Sequence, residues 1–176
     1  MVLGALAALL EMAGGIAVVG KAKNGAEALS LVLALKPDVF LTDIEMPVMS
    51  GLDVAAELKR RRVAVRVIIV TTFARGGYLR RALDAGASGY LLKKTPPARL
   101  MESLREAKDG GAPMSPQVAR RVIRLFREMS VLENVTLAPI RVLGKSRAEA
   151  NESAMVLLKR IGLDHKAKEY PDRLSG

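Results

Sequence analysis

Apolar and polar positions change period repeatedly along this chain, and each change marks an element. Leu3, Leu6, Leu9 and Leu10 recur at helical spacing within Val2 to Met12, and Gly14-Gly15 ends that helix. Ile16 to Val19 is a short apolar run closed by Gly20, which reads as a strand. Asn24-Gly25 starts a helix through Leu35, with Ala28, Leu31, Val32 and Leu35 on one face. Pro37 breaks the chain before a second buried strand, Val39 to Leu41. A helix follows from about Gly51 to Arg61, and Arg66 to Thr71 is the clearest strand of all. A helix from Tyr78 to Ala85 leads through Gly86 to the strand Gly89 to Leu92, which ends at Lys93. Pro96-Pro97 opens a helix to about Lys108, and Asp109-Gly110-Gly111 stops it. Ser115-Pro116 supplies an N-cap and a first-turn proline for a helix through about Glu128, with Val118, Val122, Ile123 and Phe126 as its apolar stripe.

Strands that alternate with short helices form parallel sheets, because each crossover returns the chain to the same edge. Three consecutive strands then end in an acid, a hydroxyl and a lysine: Asp43, Thr71 and Lys93. Asp43 alone reads as a turn or cap residue. With the other two, each at a strand's carboxyl end, it reads as a site, since that edge is where open α/β sheets bind ligands.

Composition narrows the picture. Half of the 176 residues are hydrophobic but only 3% are aromatic, and there is no Trp, so the core is aliphatic. Cysteine is absent, which excludes disulfides and thiolate metal sites. No apolar run reaches the roughly 18 residues of a membrane span, and the apolar start carries no basic residue ahead of it, so a cytoplasmic protein is expected. The net charge of +10 favours loose association with polyanions. Basic runs such as Lys59-Arg60-Arg61-Arg62 lack interleaved aromatics, so they read as a solvated surface and no specific DNA binding is expected.

Three motifs carry a family likeness: Leu41-Thr42-Asp43-Ile44-Glu45-Met46-Pro47 with Gly51 following, Val70-Thr71-Thr72-Phe73, and Ala85-Gly86-Ala87-Ser88-Gly89-Tyr90-Leu91-Leu92-Lys93. With them, residues 1 to about 128 resemble the receiver domain of bacterial response regulators, most like the type that precedes a LuxR-like (NarL-like) DNA-binding domain. The resemblance implies a flavodoxin-like α/β fold, a parallel sheet with flanking helices. It implies that Asp43 is the phosphoacceptor, Thr71 the switch hydroxyl, Tyr90 the switch aromatic and Lys93 the phosphate-contacting lysine. The partner would be a histidine kinase or a small phosphodonor. Such a domain is not an enzyme in its own right. A carboxylate can attack phosphorus, and an ammonium and a hydroxyl can then hold the new oxygens by charge-assisted bonds.

The departures from that family are equally specific. A first strand there precedes the helix with which this chain begins, and it delivers the acidic pair that binds Mg²⁺. No Asp or Glu precedes Glu11 here, and Ser50 stands where an acid is common. Asp43 and the backbone carbonyl of Glu45 are left as a weak, incomplete Mg²⁺ site, so impaired phosphorylation is expected.

Beyond Glu128 the chain changes character. Met129-Ser130-Val131-Leu132-Glu133-Asn134-Val135-Thr136-Leu137-Ala138-Pro139, and the final Leu174-Ser175-Gly176, resemble the helical subdomain of an ABC-transporter ATPase of the polar amino-acid importers, the last three being the start of its signature motif. Ser146 and Glu149 form a capping box at the head of a helix from Arg147 to Ile161. The lone His165 reads as a surface imidazole. No G-x-x-x-x-G-K-[ST] occurs, so ATP binding and hydrolysis are not expected.

The expected organisation is therefore a receiver-like domain over 1-112, a linker helix over 113-128 and an ATPase fragment over 129-176. Two unrelated families trimmed at functional boundaries read as an engineered chimera, a fusion of fragments or a natural fusion. Three functions follow: a receiver-derived scaffold with a compromised site, a chimera that keeps only the fold, or an ATPase fragment docking on a membrane subunit. Pro139-Ile140-Arg141-Val142-Leu143, short, β-branched and followed by Gly144, is the expected filler of the vacant strand position, which would bring Lys145 to the place of the acidic pair. A homodimer through the basic helical faces is a further expectation, and strand exchange between copies is the alternative way to fill that position.

Overall fold

The computed structural model describes residues 3–12, 14–72, 76–141 and 143–174. They divide into two compact units, Met1–Ala119 and Arg120–Gly176. In the first unit, helix α1 (Leu3–Met12) and α2 (Gly25–Leu35) precede strand β1 (Val39–Thr42). Then α3 (Gly51–Arg60), β2 (Arg66–Thr71), α4 (Gly76–Asp84), β3 (Gly89–Leu92) and α5 (Pro97–Lys108) alternate along the chain. Helix α6 (Pro116–Arg127) crosses the boundary, and α7 (Val131–Arg141), α8 (Arg147–Arg160) and two short 3₁₀ turns make up the rest.

The sheet is parallel, in the order β1-β2-β3, with Val39 opposite Arg66 and Ile68 opposite Gly89. Residues of β2 alternate between faces. Ile68 and Val70 join Leu10, Leu91, Leu100, Leu104 and Ala107 in a core between the sheet and helices α1 and α5. Val67 and Ile69 point the other way and are as deeply buried, on the side where α3 packs. A strand covered on both faces must be aliphatic throughout, which is why Arg66–Thr71 shows no polar alternation.

Local chemistry sets the helix ends. Asn24 caps α2 by accepting the Glu27 N–H at 2.9 Å, while Glu27 accepts the Lys23 N–H at 2.8 Å. Lys36 then leaves α2 through the left-handed region at φ 47, and Pro37 prevents its resumption. Ser50 caps α3, whose last turn carries Lys59 and Arg60 against the dipole's negative end. Within α3, Glu57 accepts from Arg60 at 2.6 and 2.8 Å and from Arg61 at 2.6 Å. Those guanidiniums hold its carboxyl at about 2, below the ordinary 4.5.

The second unit is built around a helix pair. Ser130 and Glu133 exchange backbone and side-chain bonds at 2.8 and 3.2 Å and so start α7. Ser146 and Glu149 form the expected capping box on α8. Val131, Leu158 and Ala167 bury a small core between them, with Leu132, Val135 and Leu163 against it. The Val131 and Leu132 N–H groups, orphaned at the head of α7, donate to Glu169 and Ala167 carbonyls, each at 2.9 Å. Among the described residues no helix is long and apolar enough to cross a membrane.

Two expected strands are not present. Residues 139–141 end α7, and none of the described residues among 139–143 enters the sheet, Val142 lying outside them. The capping box at Ser130 commits the segment to a helix, and Pro139 lies so near its end that the bond it forfeits is one of the last. Leu143 is largely exposed, and the Lys145 N–H donates to the Pro139 carbonyl at 3.1 Å. Ile16–Val19 is also not a strand. Ile16 and Val18 pack on the core, but no described residue forms a ladder with them. A strand needs a partner for its N–H and C=O groups, which apolar composition alone does not provide.

Leu91 is 1% exposed at the centre of this core. Leu91→Ala should lower stability by about 2–5 kcal/mol in urea denaturation, the usual range for a buried Leu. Glu57 provides a pH test. Because its folded value is depressed, its stabilising contribution is full above about 4.5 and fades as pH falls toward about 2. The melting-temperature gap between the wild type and Glu57→Gln should therefore close over that window and stay constant above it.

Candidate functional site

Parallel strands in register bring their carboxyl ends to one edge. Thr42 pairs with Ile69, and Thr71 pairs with Leu92, so Asp43, Thr71 and Lys93 all follow or end strands at that edge. Lys93 reaches across it: its Nζ donates to Asp43 Oδ2 at 2.5 Å. Both side chains are about one-third exposed or less, 32% for Lys93 and 27% for Asp43, so the pair is only partly screened by water. The backbone of Lys93 is held as well, its N–H donating to the Thr71 carbonyl at 2.8 Å. Thr71 is buried, at 7% exposure, and so is Tyr90 within β3 at 2%.

The loop from Asp43 to Ser50 is shaped to present the carboxylate. The Ile44 N–H donates to Asp43 Oδ1 at 2.7 Å, fixing the plane of the carboxylate. Thr42 Oγ1 donates to the Asp43 carbonyl at 3.0 Å. The Gly51 N–H closes the loop on the Ile44 carbonyl at 3.0 Å. A Cβ on Gly51 would collide with the Asp43 carbonyl oxygen, so only glycine lets the head of α3 come this close. Gly25 plays the same part against the Met49 carbonyl. Val48, at the loop's tip, takes φ 68 and is 86% exposed. A β-branched residue in the left-handed region is strained, and nothing buries its side chain in return.

The described residues brought together are thus Asp43, Thr71 and Lys93, with Tyr90 in the strand that carries Lys93. Glu45 is exposed, on the same loop. Ser175 and Gly176 of the expected signature remnant lie outside the described residues, as does Phe73. Leu174 is 39% exposed. Among the described residues there is no group of three or more His, Asp or Glu that could hold a metal ion. Asp43 has both oxygens engaged, one by Ile44 and one by Lys93. Each of those oxygens keeps a second lone pair, and Mg²⁺ is ordinarily held by one or two carboxylates together with waters, so Asp43 can supply one ligand of such an ion.

The residue that sequence reading misses is Ser115. It was legible only as a helix cap, yet its Oγ accepts the Leu92 N–H at 3.1 Å, next to Lys93.

The family described as "Response regulator receiver domain" matches residues 1–105. The uncharacterised transcriptional regulatory protein YvfU of Bacillus subtilis is 44% identical over 146 residues, which cover 83% of this chain and 72% of YvfU. That share of the chain carries the match beyond Ala119, the end of the first unit. The transcriptional regulatory protein DesR of the same organism is 43% identical over 118 residues, 67% of this chain and 58% of DesR. Among solved structures, a DNA-binding response regulator of the LuxR family from Staphylococcus aureus aligns with TM-score 0.58 at 34% identity, covering 60% of this chain and 88% of that one.

Two substitutions test the loop. Gly51→Ala should lower stability by about 2 kcal/mol or more, as forced backbone shifts do, and should move the Asp43 amide resonance. Val48→Asn should raise stability by about 1 kcal/mol, since Asn tolerates the left-handed region. Thermal and urea unfolding measure both.

Proposed function

The chain belongs to the response regulator receiver family, and from that premise we propose that it accepts a phosphoryl group on Asp43. The observation that carries this reading is the Asp43–Lys93 ion pair across the sheet's carboxyl edge. A carboxylate oxygen of Asp43 attacks phosphorus. An O–P bond forms, and the bond from phosphorus to the donor's leaving group breaks, the leaving group taking the electron pair. The donor is the phosphohistidine of a kinase or a small acyl phosphate. Lys93, already aimed at Asp43, then holds a phosphoryl oxygen, and the Thr71 hydroxyl at the same edge donates to another.

Transfer of this kind is accelerated by a divalent ion, which neutralises charge as it develops. We place the affinity of this chain for Mg²⁺ low, with Asp43 and the carbonyl of Glu45 as its donors, and transfer correspondingly slow. The reading is of a non-enzymatic signalling module. For residues 129-176, the resemblance to an ATPase helical subdomain supports only a packed helix pair in this reading, without ATP hydrolysis.

Incubation with acetyl phosphate should label the wild type, and the label should be absent in Asp43→Asn. Lys93→Met should weaken beryllofluoride binding about tenfold or more, the factor lost with one charge-assisted bond. Labelling that survives Asp43→Asn would overturn the assignment.

A further inference from the structure

Between α5 and α6 the chain runs along the free side of β3. The Tyr90 N–H donates to the Pro113 carbonyl at 3.0 Å, and the Ser115 N–H donates to the Tyr90 carbonyl at 3.2 Å. Together they make a parallel bridge between Tyr90 and Met114. Pro113 is fully buried and Ser115 is 8% exposed. A Cβ on Gly89 would stand 2.9 Å from the Pro113 ring, so the strap needs the glycine beneath it.

Ser115 makes three more links, one of them a 3.3 Å hydroxyl contact between its Oγ and Thr95 Oγ1. Its Oγ accepts the N–H of Leu92, the residue ahead of Lys93, at 3.1 Å. Its carbonyl accepts the N–H groups of Val118 and Ala119 at 2.8 and 3.0 Å, closing the first turn of α6. One serine therefore joins the backbone just before Lys93 to the head of a helix. On the other side, Lys93 is tied to Thr71 through its N–H and to Asp43 through its ammonium. A cavity of about 210 Å³ beside the strap, lined by Leu92, Lys94, Pro96, Met114 and Gln117 among others, leaves space into which it can shift.

We propose that Ser115 is a positioning residue for Lys93, and that the Pro113–Ser115 strap makes movement of Lys93 and movement of the first turn of α6 a single motion. The chemical event that drives it rests on the reading of Asp43 as acceptor; the mechanical link does not. New charge and bulk on Asp43 displaces the ammonium from its present contact. Lys93 then re-aims from a backbone held by Thr71 on one side and, one residue earlier, by Ser115 on the other. A shift of Leu92 strains or releases its bond to Ser115, and the same serine carries the carbonyl that starts α6.

Amide hydrogen exchange of the full chain tests this with and without the Asp43 carboxylate. In the wild-type background, Asp43→Asn should raise exchange at Ser115, Val118 and Ala119 about fivefold, the factor of one ordinary hydrogen bond. In Ser115→Ala the same Asp43→Asn change should leave Val118 and Ala119 unmoved, and Ser115→Thr should restore the response. Ser115→Cys, which keeps the shape and weakens the acceptor, carries the same comparison if the alanine variant unfolds. Lack of response in the wild type, or an undiminished response in Ser115→Ala or Ser115→Cys, would overturn the proposal. Beryllofluoride with Mg²⁺ separates the two readings. Silence at Asp43 and Thr71 rejects the acceptor role, while the Asp43→Asn series still decides the link.

Discussion

The ion pair between Asp43 and Lys93 is what the first unit's architecture converges on. It joins the ends of the first and third strands, and it can form only if both strands run the same way and end level. Parallel pairing through β2 supplies that, and burial on both faces of β2 keeps it from slipping. A one-residue slip would turn Ile68 and Val70 out of the core and separate the two charges at once. Stability and chemistry therefore rest on the same register.

The loops at this edge show what such a site costs. Gly51 and Gly25 have no side chain because a neighbouring carbonyl occupies the space where one would be. Val48 keeps a strained backbone at an exposed tip. Elsewhere in the chain the local rules agree with the fold: serine and asparagine at helix heads, basic residues in last turns, glycine or a left-handed residue after the ends. Beside Asp43 the backbone must come close and a carboxylate must stay presented, and there the chain accepts both bare glycines and a strained valine.

Membership of the receiver family fits this geometry. A carboxylate bonded to an ammonium and a backbone N–H is well held as an ion pair. The strap at Ser115 adds a feature of the same edge that is mechanical rather than chemical. It binds the strand carrying Lys93 to the segment leaving the domain, by hydrogen bonds made on both sides of Tyr90.

Much of this was legible from sequence because period and punctuation are local. Arg66 to Thr71, the helix caps at Asn24, Ser50 and Ser146, and the placing of Asp43, Thr71 and Lys93 at strand ends all follow from neighbours within a few residues. Ile16–Val19 and residues 139–143 read equally well as strands, and none of their described residues is in one. In the first case the chain has the composition of a strand but no partner beside it. In the second, a capping box ten residues upstream sets a helix that the short apolar run continues. Whether an apolar run becomes a strand depends on what lies across from it, which is a matter of distant residues. The same holds for Ser115: its sequence shows a cap, and only the return of the chain along β3 puts its hydroxyl against Leu92. Sequence by itself determined which polar residues stand at the strand ends and which elements present them. Tertiary structure decided which backbone groups find partners, because hydrogen bonds between segments far apart in the chain leave no periodic trace in either one.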